Sequence, residues 1–292
     1  MKVLITGHLG FVGRHFWRHF MEAGDAVYAC DIADERVPLD CRKVFRKDRC
    51  PDMDLVIHCA ATIPPIDKRE ANDLIVANDL AIDAEMFQWA LRTRPKQIVY
   101  FSSSAAYPIR LQRSEHYLAE DDLDLDAFEP PDAMYGLTKL VGELQAREAR
   151  RQGLDVRVFR PFTGYGTDQS LDYPFPAFVK RAMERQAVFD IWGDGRQVRD
   201  FVHIDDIVNV VLTSLRQPDP GPLNIGTGVP ITIREFAQMC ADEQPGYRPA
   251  FRTHGDKPTG AVFRCADASR LAEVCQPRIS LVEGIRRAMI GR

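Results

Sequence analysis

Val3-Leu4-Ile5-Thr6-Gly7-His8-Leu9-Gly10-Phe11-Val12-Gly13 carries an apolar strand pattern straight into three glycines spaced G-x-x-G-x-x-G, and a helical pattern follows through Met21. Glycines at such a turn permit positive backbone dihedrals and let main-chain N–H groups approach a pyrophosphate, whose charge the start of a helix favours. A bare tight turn is the alternative; the strand before it and the helix after it favour a dinucleotide site. Gly7, Leu9, Gly10, Phe11, Val12 and Gly13 are therefore candidate cofactor-binding residues. Asp31 follows the next strand pattern, Ala26-Val27-Tyr28-Ala29, about twenty residues beyond the glycines, where a carboxylate can accept both hydroxyls of an adenosine ribose. It would repel a 2′-phosphate, so NAD is expected over NADP, with Arg36 nearby as the counter-indication. Ile32 is a candidate for the same edge, and Asp40 would reach the adenine if a third strand starts there.

Outward from this stretch the chain keeps alternating. Leu55-Val56-Ile57, Ile98-Val99-Tyr100-Phe101 and Val156-Arg157-Val158-Phe159 read as strands, with helical patterns from about Asp73 to Leu91 and from Tyr135 to Arg150. Strands alternating with helices predict the α/β class, a Rossmann-type doubly wound parallel sheet. After Pro161 the pattern becomes irregular, with Pro174, Pro176, Gly193-Asp194-Gly195, Pro218, Pro220 and Pro222, and a smaller α/β substrate-binding domain is expected. The helical run Asp205 to Leu215 is expected to return to the first domain. The division is then 1–163 with 198–217 for the cofactor domain, and 164–197 with 218–292 for the substrate domain. Between Tyr107 and Pro131 the acidic, proline-flanked composition reads as a surface excursion.

Composition narrows the class. A chain of 292 residues, 45% hydrophobic, can bury a sizeable core, and a net charge of −4 with scattered basic residues implies no nucleic-acid partner. There is no apolar run of bilayer length and no apolar signal region at the start, so a cytoplasmic protein without a membrane partner is expected. Seven cysteines at 30, 41, 50, 59, 240, 265 and 275 form no Cys-x-x-Cys pair, so reduced structural thiols and no metal are expected. His15 and His19, four apart without the glutamate of a zinc protease, read as an exposed helical face.

Tyr135 and Lys139 lie four apart at the start of a helix and so share a face. An ammonium beside a phenol favours the phenolate and suits tyrosine to proton transfer. Ser102-Ser103-Ser104 follows the strand Ile98 to Phe101, and in open α/β sheets ligands bind outside the carboxyl ends of the strands. A polar turn would also explain three serines; the glycine turn upstream and the Tyr/Lys helix downstream favour a site.

Together these parts resemble the extended short-chain dehydrogenase/reductase family, in particular its nucleotide-sugar epimerases, dehydratases and reductases. Further matching stretches are His58-Cys59-Ala60-Ala61, Asn78, Arg160-Pro161-Phe162-Thr163-Gly164-Tyr165-Gly166, Arg199-Asp200-Phe201-Val202-His203-Ile204-Asp205-Asp206 and Asn224-Ile225-Gly226-Thr227-Gly228. By resemblance, counting back four from Tyr107 makes Ser103 the catalytic serine, with Ser104 as fallback. Tyr135 would be the acid/base and Lys139 would hold the nicotinamide ribose. Cys59, Ala60, Ala61, Asn78, Phe101 and Ser102 would line the cofactor, as would Arg160 and Pro161. Arg199 would bind the substrate diphosphate, its planar fork suiting two phosphate oxygens, with a local salt bridge as the alternative. Thr62, Ser103, Ser104, Tyr135, Phe162, Thr163, Lys257 and Arg264 complete the implied substrate contacts. Relatives pair through the helices around Asn78 and Tyr135, which implies a homodimer.

Dehydratases of this family need an acid and a base just after the serine or threonine, and here those places hold Ser104 and Ala105. Nor does Ala105 carry the cysteine that the fucose-synthase and mannose-3,5-epimerase branches place there. Chemistry at one carbinol remains. The first expectation is an NAD-dependent nucleotide-sugar 4-epimerase, in which hydride passes to NAD and returns to the other face of the ketone. An NAD(P)H-dependent nucleotide-4-keto-sugar reductase is the alternative: Gly7-His8-Leu9-Gly10, Tyr107-Pro108 and Lys257-Pro258-Thr259-Gly260 with Arg264, Asp267 and Ser269 resemble the GDP-fucose synthase branch. That branch has arginine where this chain has Leu9, and Thr163 replaces a common asparagine. A non-catalytic NAD-binding scaffold is a third reading, opposed by intact Ser103, Tyr135 and Lys139. Phe175, Phe178, Lys180 and Phe189 are candidate pocket walls, with core packing as their other role.

Overall fold

The computed structural model describes residues 1–50, 52–62 and 74–291. In chain order the first half contains β1 (Lys2–Thr6), α1 (Phe11–Glu22), β2 (Ala26–Cys30), α2 (Cys41–Arg46), β3 (Leu55–His58), α3 (Leu74–Thr93), β4 (Gln97–Phe101), β5 (Tyr117–Leu118), α4 (Met134–Arg151) and β6 (Val156–Pro161). Then follow β7 (Thr163–Tyr165), α5 (Pro174–Met183), β8 (Val188–Trp192), β9 (Val198–Arg199), β10 (Phe201–His203), α6 (Ile204–Ser214) and β11 (Leu223–Ile225). The chain ends with β12 (Ile231–Thr232), α7 (Ile233–Asp242), β13 (Ala250–His254), β14 (Phe263–Ala266), α8 (Ser269–Val274) and α9 (Leu281–Ile290).

Six parallel strands form the main sheet in the order β11-β6-β4-β3-β1-β2. Their near-continuous apolar runs suit a sheet covered on both faces. Alternation sorts the side chains: Leu4, Val56, Ile98 and Val156 pack with Met86, Trp89 and Ala146 on the α3/α4 side. Val3, Ile5, Ile57 and Val99 pack with Phe16, Ile207 and Val211 of α1 and α6 on the other. Each such fully buried side chain contributes about 1.5–3 kcal/mol, so the sheet that carries the site is rigid. Ile207, Val210 and Val211 of α6 pack on the α1 face of this sheet.

Several expectations need correction. No strand begins at Asp40: that residue N-caps α2, accepting the Arg42 N–H, because Cys41, Val44 and Phe45 at helical spacing bury one face. Leu55–His58 is therefore the third strand. The expected start of the following helix at Asp73 lies outside the described residues. Strand β11 joins the main sheet beside β6, so residues 223–225, assigned by sequence to the second domain, belong to the first. The segment from Tyr107 to Pro131 is not merely a surface excursion: Gln112, Leu118 and Glu120 are buried, and β5 pairs with β14. His15 is turned inward, its Nε2 3.1 Å from Asp168, and only His19 faces solvent.

The second unit packs α5, α7 and α9 with β8 around Tyr165, Phe175, Phe178, Phe189 and Phe236. Phe175, Phe178 and Phe189 are thus core residues, and Lys180 is a surface group near Glu184. Among the described residues no helix is long and apolar enough to cross a membrane.

Candidate active site

The glycine turn leaves β1 through Gly7, whose φ of +68° only glycine adopts readily. A Cβ there would lie 2.8 Å from the Ala60 nitrogen, and one on Gly13 would lie 2.1 Å from the Gly7 carbonyl oxygen. The turn is thus compressed against the Cys59-Ala60 loop and the first turn of α1. Both clashes are with backbone, which cannot step aside. Gly13→Ala is expected to lose about 1–3 kcal/mol of stability by overpacking and to lose NAD binding. Urea unfolding together with an NAD titration checks this; a variant unchanged in both would show that the turn is not so confined.

Asp31 is fixed at the lip of this turn, its carboxylate accepting the N–H groups of Leu9 and Ala33, both at 2.9 Å. Leu9 and Ile32 flank it on the outside, Ile32 being 74% exposed. Asp40 is engaged elsewhere, held by the Arg42 guanidinium at 2.6 Å, which keeps its carboxyl below the usual range. A confined glycine turn at a helix start, with a fixed carboxylate at the end of the second strand, fits a dinucleotide with an unmodified adenosine ribose. Gly10, Phe11 and Val12 open α1 within this cradle.

The carboxyl ends of β3, β4 and β6 border the same side. Cys59 and Ala60 are tied back to Thr6, through its carbonyl at 3.1 Å and its hydroxyl at 3.2 Å. Ala61 and Thr62 follow, and the Thr62 N–H donates to buried Asp79 on α3, next to half-buried Asn78. Beyond Phe101, Ser102 donates to Glu143 at 2.5 Å, while half-buried Ser103 accepts the Ala105 N–H at 3.1 Å. That leaves the Ser103 hydroxyl hydrogen to be donated. Ser104 is buried within the short turn that Ser103 caps.

Helix α4 is pressed onto this serine turn. A Cβ at Gly136 would lie 2.1 Å from the Ala105 carbonyl oxygen, so only glycine lets neighbouring Tyr135 approach so closely. One turn on, the Lys139 ammonium lies 5.8 Å from the Tyr135 ring centre and 5.4 Å from that of Tyr100. Burial pulls Lys139 down, but Tyr135, Asp83 and Asp79 outweigh it and hold the lysine above its ordinary value. Burial pushes the Cys59 thiol up, making it a weak nucleophile.

Arg160 is turned away from this space. Its guanidinium is 1% exposed, paired with Glu143 at 2.7 Å and donating to the Tyr107 hydroxyl and the Glu120 carbonyl. Like Ser102, it can border a cofactor only through its backbone, as can Pro161, which pairs with Ile225 in the sheet.

Arg199 and Arg264 are strand partners on β9 and β14. Arg199 donates to the carbonyls of Val198, Thr259 and Ala261, and Arg264 to Gln112 and to Asp132, three residues before Tyr135. Phe162 is buried below and Thr163 is half-buried. The Lys257 ammonium lies 5.9 Å from the Trp192 ring centre.

Asp79, Asp83, Glu120 and Glu143 escaped the sequence reading. The signal was there for two of them: carboxylates four apart inside the apolar helix run Leu74 to Phe87 must face the same buried stripe.

Residues 3–226 match the family described as "NAD dependent epimerase/dehydratase family". GDP-L-fucose synthase of Escherichia coli (strain K12) is 28% identical over 294 residues, covering 94% of this chain and 90% of that protein. dTDP-4-dehydro-6-deoxy-D-allose reductase of Streptomyces bikiniensis is 29% identical, covering 93% and 90%. The solved structure of MoeE5 in complex with UDP-glucose and NAD superposes with a TM-score of 0.85 at 25% identity, covering 99% of this chain and 98% of that one. The match spans the glycine turn, the serine turn, the Tyr135/Lys139 helix and Arg199, and the chain belongs to the NAD dependent epimerase/dehydratase family.

Proposed function

We propose that this chain is an NAD-dependent nucleotide-sugar 4-epimerase. The observation that carries the reading is the packing of the helix that bears Tyr135 and Lys139 against the serine turn, where the two positions after Ser103 hold a serine and an alanine, buried and without an acid or base. One proton-transfer group at one carbinol is what such a site can operate. Bound NAD would supply the hydride acceptor and donor. Tyr135 would move the hydroxyl proton, Lys139 would hold the positive charge that favours its phenolate, and Ser103 would donate to the carbinol oxygen. Gly7 to Gly13 and Asp31 would hold the dinucleotide. Arg199 and Arg264, now engaged with carbonyls and Asp132, would turn to the diphosphate, where a charged fork gains more from anionic oxygens than from carbonyls.

A 4-keto-sugar reductase is the second reading, favoured by likeness to a dTDP-4-dehydro-6-deoxy-D-allose reductase along 93% of the chain. Purified protein incubated with UDP-, dTDP-, GDP- and CDP-sugars, with and without NADH or NADPH, separates the two. Interconversion of stereoisomers without loss of reduced cofactor is expected. Stoichiometric oxidation of reduced cofactor with a 4-keto sugar would overturn the epimerase in favour of the reductase.

Asp31 carries the choice of cofactor. Asp31→Asn removes the charge that repels a 2′-phosphate while keeping an acceptor, so the preference for NAD over NADP is expected to narrow at least about tenfold, the effect of 1.4 kcal/mol. Paired titrations with the two cofactors measure it, and an unchanged ratio would assign selectivity elsewhere. The functional unit is taken to be a homodimer formed through α3 and α4, and sedimentation at micromolar concentration tests that.

A further inference from the structure

Four polar side chains are closed into the layer between the sheet and helices α3 and α4. Thr6 and Tyr100 are fully buried and His58 and Asp83 are 2% exposed. His58 Nδ1 meets the Thr6 hydroxyl at 2.8 Å, and its Nε2 meets one Asp83 oxygen at 3.2 Å. Tyr100 donates to the other Asp83 oxygen at 2.6 Å, and its ring stacks on His58 at 6.3 Å and 18°. Space for this chain is reserved on α4: a Cβ at Gly142 would lie 1.7 Å from the Tyr100 hydroxyl and 2.8 Å from Asp83. Lys139, three residues before Gly142, places its ammonium over the Tyr100 ring, 5.4 Å from its centre.

A buried carboxylate costs several kcal/mol unless hydrogen bonds and an opposite charge compensate it. A leucine would fill this layer at no such cost. Asp83 has both compensations, hydrogen bonds with His58 and Tyr100 and the electrostatic attraction of the Lys139 ammonium, and Lys139 in turn is 6% exposed and needs a counter-charge. We propose that Asp83 is a positioning residue for the Tyr135–Lys139 pair: the fixed counter-anion, held by Thr6, His58 and Tyr100, that sets how strongly the Lys139 ammonium can act on the Tyr135 hydroxyl. This rests on the roles proposed above for Tyr135 and Lys139.

The groups acting on Lys139 are Tyr135 from α4, Asp83 and Asp79 from α3 and Cys59 just after β3, with the Tyr100 ring of β4 beside its ammonium. The two α3 carboxylates differ. Burial raises Asp79, which keeps one oxygen without a hydrogen-bond partner, whereas at Asp83 the His58, Lys139 and Tyr100 contributions outweigh burial and lower it. Asp83, with both oxygens hydrogen-bonded, is the better-held anion of the two. Thr6 also accepts the Ala60 N–H, so the same chain ties the cofactor-side loop after β3 to the catalytic pair.

Asp83→Asn has the same shape, still accepts from Tyr100 and can donate to a neutral His58, and removes only the charge. The test needs neither substrate nor NAD. Ultraviolet titration of the protein minus its Tyr135→Phe counterpart isolates the absorbance of one phenolate, measured in the parent and in the Asp83→Asn background. Without the counter-anion the ammonium acts on Tyr135 unopposed, and the midpoint is expected to fall by about one pH unit, a tenfold change in the ionisation equilibrium. An unchanged or raised midpoint would overturn the proposal. If Asp83→Asn does not fold, Asp83→Ser, which removes the same charge and keeps a hydroxyl oxygen able to accept from Tyr100, is expected to move the midpoint the same way; no movement would again overturn it. A failed sugar assay with a shifted midpoint would sink the epimerase reading alone. A working assay with an unshifted midpoint would sink the role of Asp83 alone.

Discussion

Tyr135→Phe is expected to lower kcat by about 10²- to 10⁴-fold, the range for removing a positioned general acid/base, and to leave stability and cofactor binding near those of the parent. The reasoning separates the hydroxyl from the ring. Tyr135 is half-buried at the start of α4, and its placement comes from backbone contact between Gly136 and Ala105, which the substitution does not touch. Lys139 remains 5.8 Å from the ring centre, so the pocket keeps its charge and shape. Only the hydroxyl proposed to carry the proton is lost. Ser103 can still donate to the carbinol oxygen but does not replace the phenolate as base, because a neutral serine hydroxyl is far too weak a base to take the carbinol proton. Product formation with a responsive nucleotide sugar, thermal unfolding and NAD titration, run side by side, check the prediction. A kcat within tenfold of the parent, with folding intact, would move the acid/base role to another group.

The parts of the fold and site that were legible in the sequence are those whose cause is local. The glycine turn is fixed by its own strand and helix, and Tyr135 and Lys139 share a face by helical spacing alone. Strand runs such as Val3-Leu4-Ile5 are apolar because both faces of the sheet are covered, a pattern visible without any partner. What stayed hidden depends on residues far apart. Asn224 accepts from Tyr107, donates its side-chain amide to the Leu118 carbonyl and donates its backbone N–H to Glu120, contacts more than a hundred positions away along the chain. Asp200, within the Arg199-Asp200 motif that suggested substrate binding, is buried and accepts from Thr227, Gly228 and Ala266, so it braces the second unit. At Asp40 the error was one of period: three apolar residues in six fit a short helix face better than a strand, and the capping aspartate marks its start.

The same long-range logic makes Glu143 the residue whose loss should destabilise the protein most. Glu143 and Arg160 are each 1% exposed, and the guanidinium meets the carboxylate with two parallel hydrogen bonds at 2.7 and 2.8 Å. Glu143→Leu leaves that guanidinium charged in a space that water does not reach. Tyr107 and the Glu120 carbonyl still accept from it, but neither carries a neutralising charge. Breaking a buried pair in this way costs about 3–5 kcal/mol, a large share of the 5–15 kcal/mol that holds a domain of ordinary stability together. Joining it to Arg160→Met removes the orphaned charge as well, and stability in urea unfolding is expected to recover most of the loss. Activity should not recover with it. Ser102 donates to Glu143 one residue before Ser103, and a leucine offers that hydroxyl no acceptor, so the serine turn loses its anchor in the double variant too. A refolded but slow double variant is the expected result. If it is as active as the parent, the buried pair serves stability only, and the serine turn is held by its backbone contacts with Phe159 and α4.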